Sequence, residues 1–192
     1  TSTITGPCTF TNLPADTFRV IMSDSTGCID TLGSSSSSPI NLTQLIDNGL
    51  IALNQIYLND DDYSGLLQIG FPFTFYGNTY SSLVICDNNY ITFDAYQAGN
   101  ISSGYTITGP VPLPFSGAIP NGTGPNNAIM TPWQDLDPNQ SSFPTGTIEY
   151  GTYGVAPNRV FIARWNSVPM FSCTNLLFSS HIYLHESSNI IE

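Results

Sequence analysis

The chain has 192 residues and a net charge of −11, since fourteen acidic residues face only three Lys or Arg. This balance excludes a nucleic-acid-binding protein, because phosphate contacts need a basic surface. Only 9% of the residues are charged, far below the usual quarter, so Ser, Thr, Asn and Gly must hydrate the surface. No run of about 18 apolar residues occurs, and no membrane-spanning helix is predicted.

The first part of the chain predicts a small β module and a linker. Thr17–Met22 and Cys28–Leu32 read as two short strands around a polar turn. The Ser-rich stretch that follows has the composition of a flexible linker. We therefore predict a β module over residues 1–32, a linker over 33–39 and a larger domain over 40–192.

The larger domain begins with the only predicted helix. It covers Leu42–Ile46, with Asn41 or Thr43 as its N-cap. A strand is predicted next over Leu66–Tyr76, where alternation places three aromatic rings on one face: Phe71, Phe73 and Phe75. Pro72 cannot donate a hydrogen bond to a neighbouring strand, so this strand is predicted to lie at an edge or a bulge.

Short strands separated by turn residues fill the rest of the domain. The predicted strands are Tyr80–Cys86, Tyr90–Ala95, Ala128–Trp133, Thr147–Tyr153, Arg159–Asn166, Leu176–His185 and Asn189–Glu192. Asp87–Asn89 joins the first two as a hairpin turn. Gln97–Asn127 is a long Gly/Pro/Ser-rich loop that holds one short strand at Tyr105–Ile107. The pattern predicts an all-β chain, with a partial immunoglobulin-like module before a β-sandwich or jelly roll.

The aromatic residues divide into a predicted core set and a loop set. The predicted core set is Phe71, Phe73, Phe75, Trp133, Trp165 and Phe171. The tyrosines near loops are Tyr76, Tyr80, Tyr96 and Tyr105. The second set is a candidate platform for stacking on surface glycans.

Clustered aspartates suggest a calcium site. Carboxylates on loops supply the hard oxygen ligands that Ca²⁺ needs, and the candidate ligands are Asp60, Asp61, Asp62, Asp135 and Asp137. Their spacing matches no EF-hand loop. The alternative interpretation is a solvated turn, with aspartates that cap the loop near residues 133–138.

Two further patterns could carry chemistry, and neither leads us to expect an enzyme. His181 and His185 are spaced as zinc ligands on a helix, but the flanking residues alternate as in a strand. Asp135 and Glu149 could be the two carboxylates of a glycosidase, yet nothing in the sequence brings them together. No nucleophile motif of the Gly-x-Ser-x-Gly type occurs. No cofactor besides Ca²⁺ is expected.

Several motifs of the larger domain resemble a family. They are Ile69–Tyr80, Ile91–Phe93, Pro132–Pro138, Gly146–Tyr150, Val168–Cys173 and Glu186–Glu192. They are similar to a nidogen-like β-sandwich domain of very large secreted surface proteins of the Bacteroidota. The Cys86–Asn89 turn departs from the Ser-Asn-Gly-like turn usual in that family. The family's closing strand and second Cys are absent.

The first module resembles another family of the same organisms. Leu13–Val20 followed by Asp24–Cys28 is similar to the tail of an SprB-type repeat of gliding-motility adhesins. The two resemblances imply export by the type IX secretion route and a role in adhesion, gliding or surface appendages. They also imply that Cys173 has lost its partner through truncation.

The four cysteines favour disulfides over zinc, because none has Cys-x-x-Cys spacing. Three pairings are open. We expect Cys8–Cys28, since it closes a loop of about 20 residues, worth roughly 3 kcal/mol. Cys86–Cys173 is the weaker expectation.

The predicted function is a structural or adhesive module of a large secreted bacterial surface protein or filament. A lectin-like or carbohydrate-processing domain is the alternative. The first module has too few strands to stand alone, and the strand pattern of Asn189–Glu192 has no continuation within the chain. Either the remainder of a longer polypeptide or neighbouring subunits are therefore the expected partners, with a homo-oligomer as one form of the second.

Overall fold

The computed structural model of the chain divides into two compact units, Thr1–Asp47 and Asn48–Glu192. The structure describes residues 20–23, 29–32, 41–101, 125–139 and 146–192, the first two ranges as backbone only. The predicted linker 33–39 and both Cys8 and Cys28 lie outside these residues, so their predictions stay untested.

The first unit contains a hairpin and a helix. Strands β1 (Val20–Ser23) and β2 (Ile29–Leu32) pair antiparallel, as predicted. Helix α1 (Leu42–Asp47) follows. The backbone amide of Gln44 donates to Asn41 Oδ1 at 3.1 Å, so Asn41 is the N-cap of the two candidates.

Two four-stranded antiparallel sheets form the second unit. The strands are β3 (Asn54–Ile56), β4 (Leu67–Phe75), β5 (Asn78–Cys86), β6 (Tyr90–Thr92), β7 (Ala128–Met130), β8 (Thr147–Tyr153), β9 (Val160–Met170) and β10 (Cys173–His185), with a 3₁₀ turn η1 (Ala95–Gln97) after β6. One sheet has the order β10-β9-β8-β3 and the other β4-β5-β6-β7. The predicted all-β sandwich is confirmed, although β3 was not predicted.

The core lies between the inner faces of the two sheets, because each contributes alternate apolar residues. Its largest side chain, Trp165 on β9, is fully buried, and its indole Nε1 donates to the Cys86 carbonyl at 3.0 Å. Phe71 and Phe73 of β4 are buried as predicted. The prediction for Phe171 is wrong: this residue lies between β9 and β10 and is 44% exposed.

Strand β4 is an edge strand with a bulge, as Pro72 predicts. The pairing with β5 shifts between Gln68 and Phe73. Gly70 lies within this shift at a φ of +88°, and a Cβ there would meet the Thr152 side chain at 3.3 Å. Glycine is therefore the residue that the bulge requires.

Side chains next to strands of the other sheet hydrogen-bond to the outer edge of β4. The Arg159 guanidinium donates to the Gly70 carbonyl at 2.6 Å, and the Thr74 amide donates to Asn189 Oδ1 at 2.6 Å. Arg159 is held in turn by Glu186, with N–O distances of 2.5 and 2.8 Å. These bonds join the two sheets and cover polar backbone groups that would otherwise invite another strand.

The end of the described chain folds back onto β10. Ile191 bridges Leu184, and Tyr183 exchanges two backbone hydrogen bonds with Glu192 at 2.8 and 3.0 Å. The segment predicted as a strand, Asn189–Glu192, thus pairs with β10 through Ile191. The strand predicted at Tyr105–Ile107 lies outside the described residues. The longest helix that the structure describes is α1, with six residues, and none of the described helices could span a membrane.

Candidate functional site

The turn between β5 and β6 is the structural centre of the candidate site. Asp87, Asn88 and Asn89 are all fully buried, which is unusual for three consecutive polar residues. Asn89 adopts a φ of +72°, a left-handed conformation that asparagine tolerates in turns. Buried polar groups need partners, so this turn has to bind the loops around it.

Asn88 connects two of those loops. Its side-chain amide donates to Asp61 Oδ1 at 2.9 Å, and its Oδ1 accepts a hydrogen bond from the Leu136 amide at 2.7 Å. Asn89 holds the same second loop, since its amide donates to the Pro132 carbonyl at 2.8 Å. The turn thus fixes the segment around residues 60–62 beside the segment 131–137.

Both carboxylate oxygens of Asp87 accept hydrogen bonds from protein groups. The Asp61 amide donates to Oδ2 at 2.8 Å and the Cys86 thiol donates to Oδ1 at 3.3 Å. Burial raises the pKa of Asp87 well above its ordinary value, and the charges of Asp61 and Asp60 add to the effect. A second ionised carboxyl close to Asp87 therefore raises the free energy of the folded state.

Three carboxylates converge over this turn. Asp60, Asp61 and Asp135 each place one oxygen so that all three lie within 4.8 Å of one another. Partial burial, followed by the charge of Asp61, raises the pKa of both Asp60 and Asp135 to about 6. Asp60 Oδ1 is buried and has no hydrogen-bond partner among the described residues.

The other two predicted ligands make turn contacts. Asp62 Oδ2 accepts hydrogen bonds from the Asn59 amide at 2.9 Å and from the Asn59 side chain at 2.6 Å. Asp137 Oδ1 accepts one from the Asn139 amide at 3.1 Å, while its charge raises the pKa of Asp60. The alternative interpretation, a solvated turn with capping aspartates, fits Asp62 and Asp137. Three oxygens this close suit a hard cation such as Ca²⁺, and Asp60, Asp61 and Asp135 would hold it.

A buried aromatic cluster supports the site from the outer face of the β5–β6 sheet. The hydroxyls of Tyr63 and Tyr90 hydrogen-bond to each other, and the Tyr90 ring meets Trp133 edge-on at 6.4 Å. Burial and the nearby Cys86 raise the pKa of both tyrosines. The cluster fixes the residues that follow Asp62 and precede Asp135, and so limits movement of the carboxylates.

The weaker disulfide expectation, Cys86–Cys173, is not found. Cys86 is a free, buried thiol at the end of β5, and Cys173 is a free, exposed thiol at the start of β10. Cys86 contacts Trp165, whereas Cys173 pairs with Met170 five residues further along β9. Cys86 thus lies beside the indole of Trp165 and Cys173 beside the end of β9, and no disulfide joins them.

The candidate catalytic residues lie in separate surroundings. Glu149 is ion-paired with Arg164 at 3.4 Å, away from the three-carboxylate group that includes Asp135. His181 stacks on Tyr183 at 5.7 Å, and His185 contacts Glu192 at 3.2 Å. Both histidines lie on β10, as the alternating pattern predicts, and neither belongs to a metal-ligand group in the described part of the chain.

The loop tyrosines differ in exposure. Tyr76 and Tyr96 are 90% and 95% exposed. Tyr80 is half-buried, because its ring stacks on Phe93 at 4.5 Å. Tyr105 lies outside the described residues.

The sequence interpretation missed the role of Asp87, Asn88 and Asn89. It treated them as a hairpin turn, which they are, but not as the group that positions the carboxylates. The available signal was the residue types. A hairpin turn between two strands needs one or two Asp, Asn or Gly residues. With three Asp or Asn residues in succession, side-chain amides remain that can hydrogen-bond to neighbouring loops.

Comparison with protein families matches residues 17–192 to the family described as NIDO related. No curated protein and no solved structure matches the chain. The match covers the β1–β2 hairpin, the sandwich and the site just described, and domains of this kind are typically extracellular. The chain therefore belongs to the NIDO-related family.

Proposed function

We propose that this chain is a non-catalytic structural or adhesive module of a large secreted bacterial surface protein. Membership of the NIDO-related family carries the proposal. A sandwich whose sheets are joined by side-chain bonds, such as Arg159 to Gly70, suits a module that bears load outside the cell. The low charge content, 9%, agrees with an extracellular surface.

The finer proposal is a role in adhesion, gliding or a surface appendage, after export by the type IX route. It rests on the resemblance of residues 13–28 to gliding-motility adhesin repeats and of residues 69–192 to giant surface proteins. The remainder of a longer polypeptide or neighbouring subunits are the proposed partners.

Surface labelling tests the location and the role. Antibodies against residues 1–192 should stain intact cells of the source organism, and a strain without the gene should attach or glide less. Staining only after permeabilisation, or unchanged attachment and gliding in the deletion strain, would contradict the proposal.

The calcium site stays a prediction, supported by the convergence of Asp60, Asp61 and Asp135. A ligand that binds only the folded state stabilises it by about 2.7 kcal/mol at 100 times its Kd. We expect Ca²⁺ to raise the Tm of the wild-type chain in calorimetry, and to raise that of Asp61→Asn much less. Equal shifts in the two proteins, or none in the wild type, would exclude binding at these carboxylates.

A further inference from the structure

The solvent side of the β4–β5 hairpin is polar but uncharged. No charged residue occurs between Asp62 and Asp87, in a chain with a net charge of −11. Apart from Tyr76 at the tip, the exposed side chains of this hairpin that lie away from Phe75 and the core are an amide, hydroxyls and one proline: Gln68, Pro72, Thr74, Thr79 and Ser81. We call this surface the neutral hairpin face. It offers hydrogen-bond donors and acceptors without attracting ions.

Tyr76 stands at the tip of this face in a strained conformation. Its φ is +45° and that of Gly77 is +80°, as in the two-residue turns that favour Asn-Gly or Gly-Gly. A left-handed conformation is unfavourable for tyrosine, because its Cβ approaches the following carbonyl oxygen. The ring gains little burial in return, since it is 90% exposed. An exposed aromatic residue kept at a strained position points to a function.

Aromatic packing holds the exposed ring in place. The Tyr76 ring meets Phe75 edge-on, with centroids 4.7 Å apart, and Phe75 packs on Phe93 at 5.1 Å. Phe93 belongs to the buried core. The exposed ring is therefore the outer end of a series that is anchored inside the sandwich, and it loses little freedom when it binds a partner.

A shallow depression of about 350 Å³ lies on the same strand. The depression is lined by Gln68, Gly70, Phe71, Pro72 and Ser81. It lies at the bulge of β4, where the pairing of β4 with β5 shifts. From Pro72 to Tyr76 the strand covers roughly 13 Å. A partner that uses both the depression and the ring is therefore an extended chain.

We propose that the neutral hairpin face binds an uncharged glycan chain, with Tyr76 as the stacking platform. Sugars present hydroxyls to amides such as Gln68 and an apolar face to an aromatic ring. The net charge of −11 repels polyanionic glycans. This inference deepens the proposed adhesive function and rests on it.

Binding of soluble polysaccharides to the full chain tests the inference. The probes are dextran, mannan and galactan as neutral chains, with hyaluronan and dextran sulfate as anionic ones, measured by affinity electrophoresis. We expect at least one neutral chain to bind, and Tyr76→Ala to weaken binding at least tenfold. Ser81→Glu should weaken it as well. The matched control is Tyr96→Ala, which removes an equally exposed ring from η1 and should bind as the wild type does.

Tyr76→Asn separates binding from folding. Asparagine suits the left-handed backbone, so this variant should melt at or above the wild-type Tm and still lose binding. Binding of anionic chains alone, failure of all three neutral chains, or equal affinities of Tyr76→Ala and Tyr96→Ala would overturn the inference. So would a dimer in sedimentation that Tyr76→Ala abolishes, since a second copy would then cover the face. Surface staining is measured independently, so it shows whether the proposed function fails too.

Discussion

At the scale of single residues, Asp60 lies in an environment that disfavours the charged form of its carboxyl. Its Oδ1 is buried without a hydrogen-bond partner among the described residues, and the charges of Asp61 and Asp137 lie nearby. Its pKa rises from 3.8 to about 6. Ionisation of this carboxyl therefore destabilises the folded chain at neutral pH, because the unfolded state holds the charge more easily.

Asp60→Asn should consequently stabilise the chain when no divalent cation is present. The gain is roughly 0.5–1 kcal/mol at pH 7, since solvent screens a partly exposed group. The folded pKa lies above the unfolded one, so the cost is full above pH 6 and is lost as the pH falls toward 3.8. Urea unfolding in EDTA at pH 7 and pH 4 measures the gain, which should vanish at the lower pH.

Asp62→Asn is the matched control for this change. Asp62 accepts two hydrogen bonds from Asn59, so loss of its charge should not stabilise the chain at pH 7. An equal gain in both variants would assign the effect to net charge rather than to the position of Asp60.

Three of the five carboxylates singled out from residue types alone converge in the structure: Asp60, Asp61 and Asp135. The sequence could not separate them from Asp62 and Asp137, since all five are short acidic side chains on loops. What separates them is the direction that each loop takes, and Asn88 sets it through its bonds to Asp61 and the Leu136 amide.

At the scale of elements, the β5–β6 turn links three segments through side chains. Asn88→Ala should therefore destabilise the chain by about 2–3 kcal/mol, because it leaves the buried Leu136 amide without its acceptor. Urea unfolding measures this loss. Asn78→Ala, at the exposed end of β5, should cost far less. Similar losses in the two variants would show that the buried turn has no special role.

The contact between Arg159 and the β4 edge is a second link between elements. Hydrogen bonds from Arg159 hold the pKa of Glu186 below its ordinary value. The folded pKa is the lower one, so the stabilisation is present above the unfolded pKa and is lost as the pH falls through the folded value.

Arg159→Met should lower the Tm at pH 7, because it removes the bonds to Glu186 and to the Gly70 carbonyl. It keeps an apolar contact with Phe71, over whose ring the guanidinium lies at 5.5 Å. The loss should be smaller at pH 3 than at pH 7, because the ion pair weakens as the pH falls toward the lowered folded pKa of Glu186. Calorimetry at both pH values, with Glu186→Gln for comparison, measures it. A loss that does not change with pH would assign the effect to packing alone.

The sequence predicted which strands exist better than it predicted where each strand begins and ends. Alternation and turn residues located β4 to β10, since these patterns are local. Strand β3 carries no such pattern: Asn54–Ile56 holds two polar residues and one apolar residue, and only its pairing with β8 makes it a strand. Strands β9 and β10 extend beyond their predicted bounds, to Met170 and from Cys173, because their pairing continues across two register shifts that the sequence does not reveal.

At the scale of the whole molecule, repulsion between carboxylates outweighs attraction in ion pairs. Fourteen acidic residues face three cationic ones, and in the second unit Arg159 and Arg164 are both engaged with glutamates. The remaining carboxylates, with Asp60, Asp61 and Asp135 among them, repel one another. Self-repulsion of this kind opposes the compact state.

Monovalent salt should therefore raise the Tm of the chain at pH 7. The Debye length falls from about 30 Å at 0.01 M to about 8 Å at 0.15 M, so salt screens repulsion across the whole surface. The Arg159–Glu186 contact is short and partly buried, and is screened less. Calorimetry in NaCl with EDTA measures the shift, and the same series at pH 4 should show a smaller one because many carboxyls are then protonated. A fall in Tm with NaCl at pH 7 would mean that the few ion pairs outweigh the net charge of −11.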